Sequence, residues 1–304
     1  MNELANRKIC RNCKAPLHGD YCSVCGQQEN RPDIHFSEIL GDTIGNLFVW
    51  DSRFYRTLIP LLVRPGFLTL EFIEGRKAGY VPPIRLYLFI SFFLFLLLSL
   101  VPTEGLVKLD SDGYGNIVIG SKSVEPDIPG QDIPQKPGSE ARGIAFEFDG
   151  WDDANKPAWI IDLEGRANEN IDSIGNDPGA FLSLLIQRLP QMMFLLLPVF
   201  AALVQLSYLF SPFHYLQHLV FSLHYHTFIY LLYLVGWLTH RVGSSAADAF
   251  FFLALLVYLP LALKKVYRSH LAVAIGKSLV IYLSYAFVLS FFVTLFVIIN
   301  LISL

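Results

Sequence analysis

The chain has 304 residues, enough for two soluble domains, yet 53% of them are apolar and only 16% are charged. A water-soluble surface normally needs about a quarter of its residues charged, so an ordinary soluble enzyme or binding module is excluded for the chain as a whole. The net charge of −3 becomes informative only when split by region: from Gly179 to Leu304 the sole acidic residue is Asp248. A lipid solvent, which asks for apolar outward faces, resolves that shortage.

Residues 1–30 contain all four cysteines, as Cys10-x-x-Cys13 and Cys22-x-x-Cys25-Gly26 with eight residues between the pairs. A secreted disulfide scaffold spreads its cysteines; two close pairs suit a metal site in a reducing compartment. Each C-x-x-C presents two thiolates on one tight turn, and two facing turns complete a tetrahedron around zinc. Gly26 suits the backbone that such a turn requires. Four thiolates leave no open position, so the zinc is expected to be structural, and a module this small draws its folding energy from the metal. A thioredoxin-type redox motif would need a βαβ context that is missing. Arg7, Lys8, Arg11 and Lys14 flank the first pair, but Glu3, Asp20, Glu29 and Asp33 nearly balance them, which argues against a nucleic-acid partner.

Residues 31–83 read as juxtamembrane amphipathic helices. Phe36, Ile39, Leu40, Thr43, Ile44, Leu47 and Phe48 recur at helical spacing, and two further apolar clusters span 54–63 and 67–73, separated by Arg64-Pro65-Gly66. These helices lie along the membrane surface or beneath the bundle, or else form a small soluble subdomain; spacing does not separate the two. No apolar run with a small-residue cleavage site occurs in 1–83, so no secretory leader is expected. The first transmembrane helix is placed at 84–102, entered through Pro82 and Pro83, with Arg85 at its edge where the stem can snorkel.

Residues 103–183 are expected to form a polar, acidic extracytoplasmic loop. Between 103 and 178 there are sixteen Asp plus Glu against six Lys plus Arg, with ten Gly and six Pro. Strand-like pieces at 116–119, 144–148 and 159–163 suggest a β-rich cap. A membrane bundle of about four helices follows in 184–304, at 189–210, 216–238, 243–263 and 279–302. The fold class is therefore a membrane all-α bundle of about five spans behind a zinc ribbon, with four or six spans as alternatives. Arg76, Lys77, Arg85, Lys264, Lys265, Arg268 and Lys277 fall on the side of the N-terminus, against Lys108, Arg188 and Arg241 on the other. That excess puts the N-terminus in the cytoplasm, in agreement with the redox reading of the cysteines.

Histidines gather around the third span as His214, His218, His224 and His226. His214 and His218, four apart, would share a helix face, a spacing used by metal sites. Ionisable groups inside a membrane default to functional hypotheses, although histidines that hydrogen-bond between helices are a sufficient alternative. Gln187, Gln191 and Gln205 of the second span would join a polar interior, as could Arg188, although its place near the outer boundary favours snorkelling. The stretch 110–121 partly matches a calcium loop, with Asp110, Asp112 and Gly115 in place but Tyr114 and Ser121 where ligands belong, which favours a hairpin turn. No phosphate loop, H-E-x-x-H or G-x-S-x-G occurs.

The run Tyr21-Cys22-Ser23-Val24-Cys25-Gly26-Gln27, then Asp51, Phe54, Thr57, Pro65-Gly66, and Phe72-Ile73-Glu74-Gly75-Arg76-Lys77 leading to Tyr80 and Pro83, resembles an uncharacterised bacterial membrane family, domain of unknown function 3667. The likeness spans about residues 10–95. It implies a zinc-ribbon-headed, multi-pass protein of the bacterial inner membrane and brings no activity with it. The expectation is a non-enzymatic adaptor or regulator of membrane-associated partners, in contact with membrane lipid and with a protein partner at the cytoplasmic face. A transporter or channel that uses the polar and histidine residues of the second and third spans is the alternative. The junction residues Asp51, Arg76, Lys77 and Arg85 are the candidate interaction site.

Overall fold

A computed structural model describes residues 9–28, 52–100, 156–176, 178–240 and 246–303. The expected helix at 36–48, Asp51, the calcium-like loop and the strand-like pieces at 116–119 and 144–148 lie outside those residues. Eight helices are described: α1 Ser52–Val63, α2 Phe67–Ile73, α3 Pro83–Ser99, α4 Ala158–Asn176, α5 Pro178–Ser207, α6 Tyr215–His240, α7 Ala246–Tyr267 and α8 Leu271–Ser303. The only β pairing among the described residues is two isolated bridges in the cysteine module. The chain falls into two compact units, Met1–Leu97 with Pro190–Leu289 and Leu98–Leu189 with Ser290–Leu304.

Four helices are long and apolar enough to cross a membrane, over Leu185–Ser207, Tyr215–Thr239, Phe250–Tyr267 and Leu271–Ile299. Their character is that of a protein with lipid around it. Leu279, Val280, Leu283, Phe287 and Phe291 of α8 stand exposed, an apolar face that water would not tolerate. Helix α3 is equally apolar but shorter, at 17 residues. Pro82 and Pro83 open α3 as anticipated: the Pro82 carbonyl accepts from the Leu86 amide at 3.0 Å, which puts Pro83 at the first helical position, where no N–H is needed.

In the first unit, α6 and α7 pack on each other, and the short α2 lies against both. Helix α1 packs on α2 and α6. Helices α1 and α2 thus pack against the long helices α6 and α7. The turn between α1 and α2 shows why. Gly66 adopts φ 75°, and a Cβ there would lie 2.7 Å from the Ala262 carbonyl oxygen of α7, so only glycine permits this approach. Pro65 has no amide to give to the Leu61 carbonyl, and the Tyr258 hydroxyl of α7 donates to it instead at 2.8 Å. Pro260 removes the amide that would serve Leu256. There the Tyr282 hydroxyl, donating to Leu255 at 2.9 Å, lies 3.4 Å from the Leu256 carbonyl. Prolines in buried helices are accommodated when neighbours supply the missing donor.

The second unit holds a correction. Residues 159–163, read as a strand, are the first turns of α4. Pro157 supplies the carbonyl that accepts from the Ile160 and Ile161 amides, at 2.9 and 3.3 Å. Asp162 and Arg166, four positions apart, pair as residues on successive helical turns do, and Lys156 just ahead of the helix meets Glu164 at 2.8 Å. Helix α5 likewise starts at Pro178, well before the apolar run at 189 where its span was expected.

Candidate metal centre and helix junction

The cysteine module is built from one turn used twice. In the first, the Lys14 amide donates to the Cys10 carbonyl at 2.9 Å and the Cys10 amide to Ala15 at 2.9 Å; in the second, Gly26 donates to Cys22 at 2.8 Å and Cys22 to Gln27 at 2.9 Å. Lys14 and Gly26 occupy matching places, and both are left-handed, with φ of 63° and 71°. Bridges from Ile9 to Pro16 and from Tyr21 to Gln28 close each turn. The role of Gly26 was readable in the sequence; Lys14 in the same role was not, because a lysine gives no signal for a left-handed backbone.

These turns bring the sulfurs of Cys10, Cys13, Cys22 and Cys25 within 4.8 Å of one another. Cys10 and Cys25 stand 3.6 Å apart, and Cys13 and Cys22 3.4 Å apart. A disulfide would require about 2.05 Å, whereas metal–sulfur bonds of about 2.3 Å arranged as a tetrahedron set edges of about 3.8 Å. Four sulfurs so placed are able to hold a metal ion. The electrostatics agree. The amides of Cys25 and Val24 hold the Cys22 thiol down at about 6, and the Gln27 amide lowers Cys25. At Cys13 the Ala15 amide pulls downward, but desolvation and the neighbouring sulfurs outweigh it and push the thiol up to about 12. Four sulfurs this close cannot all ionise beside one another unless a cation sits among them.

The residue after Gly26 ties the module to the helices. The Gln27 side-chain amide donates to the Gly75 carbonyl at 2.7 Å, and its oxygen accepts from the Lys77 and Ala78 amides, both at 3.1 Å. Gly75 presents that carbonyl because it closes α2 in a left-handed conformation, φ 83°. Gly75 donates to Phe72 at 3.1 Å and Arg76 to Glu71 at 2.8 Å, the paired bonds of a Schellman cap. Arg76 then folds back over the helix. Its Nε donates to Glu71 at 2.7 Å, a second nitrogen pairs with the same carboxylate, and a third meets Glu74 at 2.5 Å. Glu71 above all holds the Arg76 guanidinium charged, its pKa raised above the usual arginine value. Lys77 lies over the Phe72 ring, 4.2 Å from its centre. Burial lowers the Lys77 pKa, and nearby Arg11 of the cysteine module lowers it further.

Of the junction residues, Arg76 and Lys77 therefore sit together under the module. Arg85, expected to snorkel at the helix edge, is instead buried, 9% exposed, on the first turn of α3. Packing of α3 inside the unit, which a reading of one helix in isolation does not see, accounts for that. Sequence reasoning passed over Gln27 as a site residue, since a lone glutamine carries no chemical signature. It also passed over Thr57, whose hydroxyl accepts from the Val81 amide at 3.0 Å and donates to Arg53 at 2.7 Å. That pair of bonds holds the entry to α3 against α1.

The histidines do not converge. His214 caps α6: its amide donates to the Gln217 side chain at 2.9 Å, and its carbonyl accepts from the Gln217 amide at 2.9 Å. It is exposed, whereas His218 is fully buried. His218 Nδ1 lies 2.6 Å from the Tyr267 hydroxyl. His224 Nδ1 meets Thr69 of α2 at 3.0 Å, and His226 Nε2 meets Tyr285 of α8 at 3.0 Å. Each buried histidine is thus paired with a hydroxyl on a different helix. Among the described residues the four cysteines are the only group of three or more ligand-type side chains gathered as a metal site.

Residues 51–95 match the model of the family described as Protein of unknown function (DUF3667). The match runs over α1, α2 and α3, together with the turn at 75–78 to which Gln27 bonds, and is a likeness of that segment to the family. No curated protein and no solved structure matches the chain.

Proposed function

We propose that the chain is a non-enzymatic protein of the bacterial inner membrane whose cytoplasmic zinc ribbon acts as an adaptor or regulator for membrane-associated partners. The observation that carries this reading is the Gln27 clasp. One side chain, two residues beyond the last cysteine, makes three hydrogen bonds to the backbone of 75–78, so the state of the ribbon is transmitted to the turn between α2 and α3. Zinc is the ion proposed, since four thiolates and no open position suit it and suggest structure rather than catalysis. Helix α3 is taken as a fifth span, joining the four longer ones. Arg76, Lys77, Lys264, Lys265, Arg268 and Lys277 support an N-terminus in the cytoplasm.

Val24 stands exposed between the second pair of cysteines, at 71%, and is a natural contact point. A photo-crosslinking residue at Val24 should form a discrete protein adduct in intact cells. The adduct should vanish in Cys22→Ser while the chain stays in the membrane. Absence of any adduct, or one indifferent to Cys22→Ser, refutes the adaptor reading. A transporter or channel is the second reading, favoured by the burial of His218, His224 and His226 inside the helices. Replacing the three together by alanine abolishes transport on that reading and spares the Val24 adduct on the first.

A further inference from the structure

Helix α1 has two apolar surfaces. Phe54, Thr57 and Leu61 are buried against the rest of the first unit. Tyr55, Ile59, Leu62 and Val63 stand exposed on the other side, Ile59 at 63% and Val63 at 66%. With about 100° between successive residues, Leu62, Tyr55, Ile59 and Val63 fall in one arc of about 100°. Arg56 and Arg53 follow at the edge of that arc, both exposed, and Arg64, also exposed, comes directly after the helix. No carboxylate lies on α1. An apolar strip bordered by cations is the pattern of a helix that lies in a membrane interface.

The bonds that hold α1 and α2 fix how far along the membrane-length helices they lie. Helix α6 begins and α7 ends at one end of the unit, because His218 meets Tyr267 at 2.6 Å. Tyr258, which donates to Leu61, and His224, which meets Thr69, each lie about 13 Å along the helix from that end, at about 1.5 Å per residue. Gly66 lies against Ala262 and Val266, nearer the end. One leaflet supplies about 15 Å of hydrocarbon, so both short helices run beside α6 and α7 within the depth of a single leaflet. Lys264, Lys265 and Arg268 stand exposed at the same end, which makes it complementary to anionic headgroups.

We propose that α1 lies in the leaflet at the basic end of α7, with Tyr55, Ile59, Leu62 and Val63 against phospholipid acyl chains and Arg56 and Arg64 on anionic headgroups. Long arginine stems reach from that depth to the phosphates. The test uses the purified full chain in bilayer nanodiscs of equal parts phosphatidylglycerol and phosphatidylcholine with identical acyl chains. Ile59 and Val63, both exposed, are replaced singly by benzoylphenylalanine, and the cross-linked peptides are identified by mass. Both positions should yield phospholipid adducts, and the same probe at Val24 of the cysteine module should yield few. Phosphatidylglycerol should exceed phosphatidylcholine in the adducts by about fivefold, and Arg56→Gln with Arg64→Gln should bring that ratio down to about one. Absence of phospholipid adducts at both positions, with or without a cross-link to this chain or to a second copy, overturns the lipid contact. Adducts as abundant at Val24 as at Ile59 overturn it too. An even lipid ratio with both arginines in place, or a ratio indifferent to their loss, overturns their part in holding headgroups.

Discussion

Replacing Gln27 by alanine removes three hydrogen bonds without touching a cysteine or a helix. The side-chain amide gives one bond to Gly75 at 2.7 Å and receives two, from Lys77 and Ala78 at 3.1 Å. A net value of about 1 kcal/mol per bond puts the upper limit near 3 kcal/mol. The segment is only half-buried, so water replaces part of the loss, and about 1.5–3 kcal/mol remains. That is about a 10- to 150-fold rise in local opening. Hydrogen–deuterium exchange resolved to single amides measures it directly, because Lys77 and Ala78 are themselves donors. The Val81 amide, bonded to Thr57 at 3.0 Å, is the internal control and should not change. Unchanged exchange at Lys77 and Ala78 would refute the clasp, and equal acceleration at Val81 would show general loosening in its place.

Other outcomes follow from the same packing. Gly66→Ala adds a Cβ 2.7 Å from the Ala262 carbonyl oxygen on a backbone with φ 75°; a loss of at least about 2 kcal/mol should appear as a lower thermal midpoint. Tyr258→Phe leaves the Leu61 carbonyl without a donor next to Pro65, costing about 1–3 kcal/mol by the same assay. Thr69→Val removes the partner of buried His224, and a double-mutant cycle with His224→Ala should return a coupling of about 1 kcal/mol; a coupling of zero would mean that the two are independent. Chelation of the purified chain should expose residues 9–28 to protease while leaving α5–α8 intact, since metal supplies the folding energy of so small a module. Resistance of that module in chelator would remove the metal from its stability.

Cysteine spacing, glycine at 26 and the four long apolar runs are all legible in the sequence, because each depends on contacts within a few residues. A C-x-x-C turn closes on itself, and an α-helix satisfies its own backbone. Where local signals compete, reading fails: Trp159, Ile160, Ile161 and Leu163 look like a strand by composition, and the helix prevails through Pro157 and the Asp162–Arg166 pair. Arg85 was misplaced for a related reason, since its burial depends on what packs around α3.

What only the tertiary structure decided is the set of partners. His214 and His218 were a plausible metal pair by spacing, yet the one caps α6 and the other meets Tyr267. Thr69 and His224 are 155 positions apart and Tyr258 and Leu61 197, separations that no periodicity encodes. A buried polar atom takes whichever donor or acceptor the packing brings within about 3 Å. The sequence by itself determined a four-cysteine module and a set of membrane-length helices. Folding joined them through Gln27, because a single side-chain amide could meet one carbonyl and two amides only once Gly75 had turned the backbone toward it.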